Sequence, residues 1–535
     1  MNKLYYGDNL AVLPVAVKDE SVDLVYLDPP FNSHATYNVL FSGKSGEQSH
    51  AQIEAFEDTW HWGKEAEMAF DAVMQSGNGD VAEILRALRQ FLKENDMMAY
   101  ITMMAVRLLE LHRVLKPTGS LFLHCDPTAS HYLKILLDGV FTPEGFRNDI
   151  VWKRADTVKG NFGQGSKFFD RNTDSILFYA KGEGQKFFPQ FKPYTQEYID
   201  GFYKYKEEGT GRIYRLISMT GPGGAAKGNP EYAVMGVTRY WRYSKEKMNA
   251  LIEAGMVVQT DEGNVPQRKL YLDQGKGVPV QSLWDDIPAL HAQSSERLGY
   301  PTQKPLALLE RIVECSTKEG DVVLDPFCGC GTTIHAAEKL HRQWIGIDIT
   351  HLAISLIEKR LRDAFPGIKF EVHGTPKDLE GARDLAMRDK YQFQWWAVSL
   401  VNAVPYGGKK KGADSGIDGL IYFKPEGKAT EKAIVSVKGG ENVNVSMVRD
   451  LAHMVDREKA KIGVFITLAD STGPMPTEAV KAGYYESLYG KYPKIQILTI
   501  SELFEGKQPN IPLVDSASFK KAAKEAVGDQ DALPF

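Results

Sequence analysis

A carboxylate, two prolines and an aromatic ring follow one another at the end of a predicted strand, as Asp28-Pro29-Pro30-Phe31. The prolines remove two backbone donors and fix φ, so the turn is rigid and its carbonyl groups can accept hydrogen bonds. Phe31 can stack on a planar ring while Asp28 and the Pro29 carbonyl accept the two hydrogens of an exocyclic amine. The bare tetrapeptide is equally compatible with a strand-ending turn that buries Phe31.

A second motif combines a glycine loop with an acidic residue. Asp325-Pro326-Phe327-Cys328-Gly329-Cys330-Gly331 lies between a predicted strand and a predicted helix. Glycines allow a tight turn and close approach to a ligand, and the helix N-terminus offers free N–H groups. Asp348 ends the next predicted strand, where a carboxylate can accept the hydroxyls of a ribose. Because full GxGxxG and GxxxxGK[ST] motifs are missing from the sequence, the pattern favours an adenosine-bearing cofactor over a dinucleotide or a nucleoside triphosphate.

The two motifs fit one chemistry, the methylation of a nucleobase amine. The lone pair of such an amine is delocalised into the ring, and two acceptors on its hydrogens favour a pyramidal, nucleophilic nitrogen. The sulfonium of S-adenosylmethionine is a suitable electrophile, and catalysis would rest on positioning and electrostatics. The amine of a paired base is buried in the duplex, so the base would have to be flipped out.

The elements that position these motifs alternate between strand and helix. Strands are predicted at 21–27, 121–124, 321–324 and 344–347, with helices at 96–115 and 333–340. This alternation predicts a parallel α/β sheet. Beyond residue 366 a second α/β unit is predicted, with helices at 395–401 and 448–456 and strands at 420–423, 433–437 and 462–467.

Composition bounds the class of protein. The chain has 535 residues, 43% hydrophobic and 25% charged, which excludes a largely disordered protein and suggests about three folding units. The net charge is −5, yet residues 151–280 hold 20 Lys and Arg against 14 Asp and Glu, with many aromatics. Such a segment suits phosphate contact and base stacking, or equally a β-rich domain. Four cysteines without zinc spacing, and no signal-like or membrane-length apolar run, lead us to expect a soluble cytoplasmic protein.

Taken together, the motifs resemble those of DNA amino-methyltransferases in the permuted β order. In that class the catalytic motif comes first, target recognition follows, and the cofactor loop comes last. Further matches cover residues 6–10, 151–154, 296–305 and 342–348, within a resemblance that spans about residues 1–365. The nearest relatives are expected among modification subunits of type III-like restriction–modification systems.

The resemblance implies a Rossmann-like α/β sheet that binds S-adenosylmethionine, interrupted by a target-recognition region. The implied domains are a catalytic half (1–150), a recognition region (151–290) and a cofactor-binding half (291–370). It implies that Asp28, Pro29, Pro30 and Phe31 grip the flipped base. It assigns the cofactor to Asp325, Pro326, Phe327, Gly329, Gly331, Asp348, Thr302, Gln303 and Lys304, with Asp8 nearby. Asp at the head of the tetrapeptide favours adenine N6, and cytosine N4 remains the alternative.

The basic segment falls where this family places target recognition, so double-stranded DNA is the expected partner. Six basic residues are candidates for phosphate or base contact: Arg212, Arg215, Arg239, Arg242, Lys245 and Lys247. Trp241 is as compatible with a core position as with a DNA-facing one. A restriction or helicase subunit and a homodimer are further candidate partners, and no membrane is expected.

Residues 385–505 resemble Mrr-type restriction-endonuclease-like domains, and 506–535 are expected to form a tail. The resemblance implies a Mg²⁺ site in which Asp418 is a ligand and Lys438 stabilises phosphate charge. Ser436 stands where this family carries an acid or Gln, and is a weaker metal ligand. An active nuclease, an inactive nuclease fold that clamps DNA, and a domain in which Asp418 and Lys438 have no such role all remain open. The short run Lys409–Lys411 fits DNA proximity or simple solvation.

Overall fold

The computed structural model describes residues 2–30, 36–42, 48–57, 61–155, 169, 171–291, 294–298, 300, 302–406, 416–423, 425, 430–488 and 490–512, with 36–42 and 48–57 described by their backbone alone. The chain divides into two compact units. The first contains residues 1–188 together with 282–526, and the described part of the second is 189–281. Within the described residues, no helix combines the length and the hydropathy that a membrane span requires.

The N-terminal part of the first unit alternates strands and helices. Its elements are β1 (Lys3–Tyr6), α1 (Asn9–Ala16), β2 (Val22–Leu27), β3 (Thr36–Ser42), β4 (Gln48–Glu57), α2 (Lys64–Gln75), α3 (Gly79–Leu92), α4 (Asp96–Val114), β5 (Leu115–Cys125), α5 (Ser130–Phe141), β6 (Phe146–Lys153) and β7 (Thr173–Ala180). The strand predicted at 21–27 and the helix predicted at 96–115 are therefore confirmed. Strands β3 and β4 form a separate antiparallel hairpin.

The second unit is built from short strands around a small core. Its elements are β8 (Phe191–Lys192), α6 (Gln196–Phe202), β9 (Tyr205–Lys206), β10 (Ile213–Ser218), β11 (Glu231–Val234), β12 (Val237–Tyr240), α7 (Lys245–Glu253), β13 (Val257–Val258), β14 (Gln267–Tyr271) and β15 (Val278–Pro279). Trp241 is fully buried against Met219 and Met248, and its indole N–H donates to the Tyr232 carbonyl at 2.8 Å. Trp241 is thus a core residue, the first of the two alternatives.

The chain then returns to the first unit and completes its sheet. The returning elements are β16 (Leu283–Trp284), α8 (Leu306–Ser316), β17 (Val322–Asp325), α9 (Thr332–Lys339), β18 (Gln343–Asp348), α10 (His351–Ala364) and β19 (Glu371–His373). The nine strands are ordered β16-β6-β7-β5-β2-β17-β18-β1-β19. The predicted parallel sheet is confirmed, except that β7 runs antiparallel to both of its neighbours.

The C-terminal part forms a five-stranded sheet flanked by helices. Its elements are α11 (Leu379–Arg388), α12 (Lys390–Leu400), β20 (Val404–Pro405), β21 (Gly419–Phe423), β22 (Glu431–Lys438), α13 (Val445–Arg457), β23 (Ile462–Thr467), α14 (Pro474–Lys481), β24 (Tyr484–Ser487), β25 (Gly490–Pro493), β26 (Ile495–Thr499) and α15 (Ile500–Phe504). The sheet order is β20-β21-β22-β23-β26. The second α/β unit predicted beyond residue 366 is confirmed.

Strand β2 shows how the fold positions the site. All six of its residues are buried, as expected for a strand with both faces covered. Val25 and Leu27 face the apolar core that includes α4, so the alternate residues Tyr26 and Asp28 belong to the other face. Strands β2 and β17 are parallel neighbours, and β17 pairs with β18 in the same sense. The ends of these strands therefore meet at one edge, where α/β sheets bind their ligands.

The region predicted for target recognition, 151–290, overlaps both units. Strands β6 and β7, up to Ala180, belong to the nine-stranded sheet, and residues 189–281 form the separate unit. The assignment of target recognition to this region stays a prediction.

Candidate active site

A cavity of about 260 Å³ lies at the ends of β2, β17 and β18. The residues that line it come from motifs at opposite ends of the sequence. The predicted site residues among them are Asp8, Asp28, Pro29, Pro30, Thr302, Gln303, Lys304, Asp325, Pro326, Phe327, Gly329 and Asp348. Phe31 lies outside the described residues, and Gly331 is not part of the cavity lining.

Gly331 instead shapes the loop beneath the cavity. It has φ +72° and caps the N-terminus of α9. A Cβ built on Gly331 would lie 2.7 Å from Cγ1 of Ile357, closer than side chains tolerate. Gly329 also has positive φ, +49°, with Tyr300 beside it. The loop therefore requires glycine at both positions for backbone reasons, and Gly329 alone of the two faces the ligand space.

Two carboxylates define the cofactor side of the cavity. Asp348 Oδ2 accepts from the Gly329 N–H at 2.9 Å, and Oδ1 accepts from the backbone and hydroxyl of Thr350, both at 2.9 Å. Asp325 is buried and its Oδ1 accepts from the Phe327 N–H at 3.0 Å. Burial raises the pKa of Asp348 to about 6 and that of Asp325 to about 7. Burial therefore favours the protonated form of both groups.

Asp8 is held in the site by a buried arginine that the sequence analysis did not single out. Arg107, on α4, donates through Nη2 to Asp8 Oδ1 at 2.9 Å and through Nε to Asn9 Oδ1 at 2.7 Å. Asn9 in turn donates to the Pro326 carbonyl at 2.9 Å. This chain ties the N-terminal motif to the glycine loop. The available signal was a lone arginine within an otherwise apolar stretch of helix, since buried charges require partners.

Lys304 and Asp28 form an ion pair across the cavity. Nζ of Lys304 lies 2.5 Å from Oδ2 of Asp28, and the two side chains are only 11% and 18% exposed. Within the described part of the chain, Oδ1 of Asp28 has no hydrogen-bond partner, so it can accept from a ligand. Lys304 was predicted to contact the cofactor, whereas the structure places its ammonium group on the carboxylate predicted to hold the base.

Gln303 and Thr302 support the loop that carries Lys304. Gln303 accepts from the Leu298 N–H at 2.8 Å and donates to the Glu296 carbonyl at 2.9 Å, so its amide clamps the loop while its side chain lines the cavity. Thr302 is exposed and has φ +62°. A β-branched residue in the left-handed region is strained, and such strain is common where a loop is held for function.

The basic candidates of the second unit fall into two groups. Arg212 is bound to Asp273 and lies over the Tyr271 ring at 3.8 Å, and Arg215 donates to the Tyr198 hydroxyl at 2.6 Å. Both arginines therefore contact residues of the second unit itself and stabilise its packing. The other four are exposed: Arg239, Arg242, Lys245 and Lys247. Lys409–Lys411 lie outside the described residues.

In the C-terminal part, Asp418 precedes β21, and its Oδ2 accepts from the Val437 N–H of β22 at 2.6 Å. Ser436 is buried, with 2% exposure, and Lys438 is half-buried at the end of the same strand. Across the described residues, no cluster of three or more His, Cys, Asp or Glu side chains could hold a metal ion. The metal site that the resemblance implies stays a prediction.

Comparison with protein families agrees with this geometry. Residues 22–359 match the family model described as DNA methylase, and residues 385–504 match the one described as restriction endonuclease. The chain belongs to the DNA methylase family, with a restriction-endonuclease-like domain at residues 385–504.

Among curated relatives, the type II methyltransferase M.EcaI of Enterobacter cloacae is 29% identical over 67% of this chain and 69% of its own length. The Mod subunit of the type III restriction–modification enzyme StyLTI of Salmonella typhimurium is 28% identical over 64% of this chain and half of its own length. Among solved structures, a DNA modification methylase of Thermus thermophilus in complex with S-adenosyl-L-methionine is 18% identical, covering 70% of this chain and 98% of that one, with a TM-score of 0.34.

Proposed function

We propose that this protein transfers a methyl group from S-adenosylmethionine to the exocyclic amine of a flipped base in double-stranded DNA, and that the base is adenine. One observation carries the proposal. A carboxylate with an open acceptor oxygen, Asp28, shares one cavity with a second carboxylate, Asp348, to which we assign the ribose hydroxyls. The family match and the methyltransferase relatives support the same reaction.

The cavity has features that fit S-adenosylmethionine. Gly329 lets the backbone approach a ligand closely, and Asp348 offers acceptor oxygens in the same cavity. Asp325, whose carboxylate is buried with a raised pKa, suits a ligand with amine donors. When bound, S-adenosylmethionine supplies an electrophilic methyl group on a sulfonium.

The chain's own residues would orient and activate the amine. Asp28 Oδ1 and the Pro29 carbonyl accept its two hydrogens, which localises the nitrogen lone pair. Lys304 fixes the Asp28 carboxylate through Oδ2, so the acceptor geometry is set before the base arrives. As the nitrogen forms its new bond it loses one proton, and Asp28 Oδ1 is the atom placed to accept it.

The choice of adenine rests on Asp28 at the head of the tetrapeptide, with cytosine N4 as the alternative acceptor. Nucleosides from DNA treated with the protein and isotopically labelled S-adenosylmethionine, separated by mass spectrometry, distinguish the two. We expect labelled N6-methyl-2′-deoxyadenosine from the DNA, and no labelled nucleoside from RNA treated in the same way. Asp28→Ala should abolish transfer while calorimetry still shows cofactor binding. Full activity in this variant would refute the assignment.

For the C-terminal domain we propose a DNA clamp of nuclease fold rather than an active nuclease. The observation that favours the clamp is Ser436, which is buried and stands where the family carries an acid or Gln. Plasmid DNA with Mg²⁺ should remain intact with the wild type. Cleavage by the wild type but not by Asp418→Ala would establish the nuclease instead.

The wider setting we propose is a restriction–modification system in the cytoplasm, where the DNA substrate lies. The relatives' names support this setting. A restriction or helicase subunit, or a second copy of the chain, are candidate partners, and size measurement of the purified protein with and without DNA tests the homodimer.

A further inference from the structure

Three polar side chains are buried side by side next to Asp28, on the face of the sheet away from the α4 core. They are Tyr26 on β2, His124 on β5 and Asp174 on β7, with exposures of 2%, 0% and 4%. The three strands are neighbours in the sheet. Tyr26 precedes Asp28 by two residues, so both side chains project to the same face, and Tyr26 lines the cavity.

The three side chains form a continuous hydrogen-bonded chain. The Tyr26 hydroxyl lies 3.1 Å from His124 Nδ1, and His124 Nε2 lies 3.1 Å from Asp174 Oδ2. Arg154 lies 3.4 Å from the other oxygen of Asp174. The Trp152 ring packs against His124 at 5.5 Å in an edge arrangement, which fixes the imidazole plane.

The direction of each hydrogen bond follows from its partners. Although burial would raise the pKa of Asp174, the hydrogen bond from His124 and the charges of Arg154 and Lys304 lower it, so the group is a carboxylate and can only accept. Burial, followed by the charge of Lys304, lowers the pKa of His124, so the imidazole is neutral. His124 therefore donates through Nε2 and accepts through Nδ1, and the Tyr26 hydroxyl must donate to it.

A tyrosine whose proton is committed in this way offers only lone pairs on its remaining side. We propose that His124 and Asp174 are positioning residues that turn the lone pairs of the Tyr26 oxygen toward the cavity, where they stabilise the positive charge that develops on the amine during methyl transfer. This inference rests on the proposed function, and it assigns that reaction a role for residues outside the family motifs.

A purely structural role for the hydrogen-bonded series Tyr26–His124–Asp174 is disfavoured on energetic grounds. Burying an ionised carboxylate and two further polar groups costs desolvation, and apolar residues of similar volume would be at least as stabilising. The same face of the sheet carries an apolar pair close by, since the rings of Phe122 and Phe178 stack with their centroids 4.3 Å apart. The polar chain is placed instead beside Asp28 and the cavity.

The test uses Tyr26→Phe, Asp174→Asn and the double variant of the full chain, with single-turnover methyl transfer to DNA, calorimetric S-adenosylmethionine binding and thermal unfolding as readouts. Tyr26→Phe keeps the ring and removes only the hydroxyl. We expect its transfer rate to fall at least tenfold, with cofactor affinity changed less than twofold. Asp174→Asn alone should lower the transfer rate by a similar factor. In the Tyr26→Phe background it should lower the rate less than twofold, because the two substitutions act through one oxygen.

Tyr179→Phe is the matched control, since it removes another buried tyrosine hydroxyl, one that is bound to Asp138 at 2.7 Å. It should lower the melting temperature and leave the transfer rate within twofold. If Asp174→Asn does not fold, His124→Gln takes its place. An unchanged rate in Tyr26→Phe, or losses that multiply in the double variant, overturns the proposal. A wild type that transfers no methyl group overturns the proposed function itself.

Discussion

Lys304 and Asp28 are 276 residues apart in sequence, yet the ammonium of one lies 2.5 Å from a carboxylate oxygen of the other. The ion pair joins the Asp-Pro-Pro turn that follows β2 to the loop that precedes α8. Since both side chains are largely buried, each charge depends on the other for compensation. Correct placement of Asp28 is therefore a property of the assembled sheet.

Lys304→Met is expected to lower the methyl-transfer rate at least tenfold, because Asp28 loses the partner that fixes its orientation. Lys304→Arg should retain part of the rate. Radiolabel transfer to DNA below the melting temperature of each variant measures the effect. Lys339→Met is the matched control, since Lys339 forms an ion pair with Glu310 at 2.9 Å and does not line the cavity. Equal rates for Lys304→Met and Lys339→Met would contradict the role given to the ion pair.

Cofactor affinity is expected to depend on pH through Asp348. Burial raises the pKa of this carboxyl to about 6, so below that pH it carries a proton and loses an acceptor for the ribose hydroxyls. S-adenosylmethionine binding should weaken further, by about tenfold per pH unit, as the pH falls below about 6. Calorimetry from pH 5 to pH 8 measures this. In Asp348→Asn the cofactor affinity should be weak and should no longer change with pH below about 6. If this variant kept the pH dependence of the wild type, a group other than Asp348 would be responsible for it.

Asp325 is expected to destabilise the ligand-free protein at high pH. Its pKa in the folded state, about 7, lies above the usual value for an aspartate, so this contribution to stability is fully present below about pH 4 and is lost as the pH rises from about 4 to 7. Asp325→Asn keeps an acceptor for the Phe327 N–H and carries no charge. Its melting temperature should exceed that of the wild type by a few degrees at pH 8, and the difference should shrink at pH 5. A gain of the same size at both pH values would exclude the charge as the cause.

Gly331→Ala tests the glycine loop. The new Cβ would lie 2.7 Å from Ile357 Cγ1 at a residue with φ +72°, so the loop must shift. We expect a lower melting temperature and at least a tenfold loss of cofactor affinity. Gly320→Ala is the control, since Gly320 has φ +81° but nothing within 4 Å of a built Cβ. It should share the backbone cost of about 1 kcal/mol and keep its affinity.

DNA binding is expected to weaken with salt through the exposed basic residues of the second unit. Replacing Arg239, Lys245 and Lys247 by Gln should reduce the slope of log K against log salt by up to about 0.9 for each phosphate that is no longer neutralised. Fluorescence anisotropy between 50 and 300 mM salt measures the slope. Arg212→Gln is the comparison, because Arg212 is already paired with Asp273. An unchanged slope in the triple variant would place the basic face elsewhere, with Lys409–Lys411 the next candidate.

The parts of the site that could be predicted from sequence are those whose residue types have a local meaning. A Pro-Pro turn after a buried strand and a glycine loop before a helix each carry their own backbone signature, and the structure contains both motifs where they were predicted. Strand β7 ran against the parallel prediction because strand direction depends on the connection between strands, and residues 154–172 carry no periodic signal for it.

What could not be predicted was the partner of each polar side chain. Arg107 and Tyr26 lie in stretches that read as ordinary apolar helix and strand, and their roles depend on neighbours from distant parts of the chain. Lys304 was assigned to the cofactor by its motif, yet it contacts Asp28, because the loop crosses the cavity. Sequence periodicity indicates which face of a helix or strand a residue occupies, but not which residues its side chain contacts there.

The order of strands in the nine-stranded sheet has a consequence for protein synthesis. Strand β1 is translated first, yet Leu4 pairs with Gly346, and the other neighbour of β1 is β19, which ends at His373. Until those residues leave the ribosome, both edges of β1 lack their native partners, and a chain halted before them would expose strand edges prone to aggregation. Asp348 lies in the same late segment, so the cofactor site is completed only then. Translation therefore completes the nine-stranded sheet before it begins the restriction-endonuclease-like domain at residues 385–504.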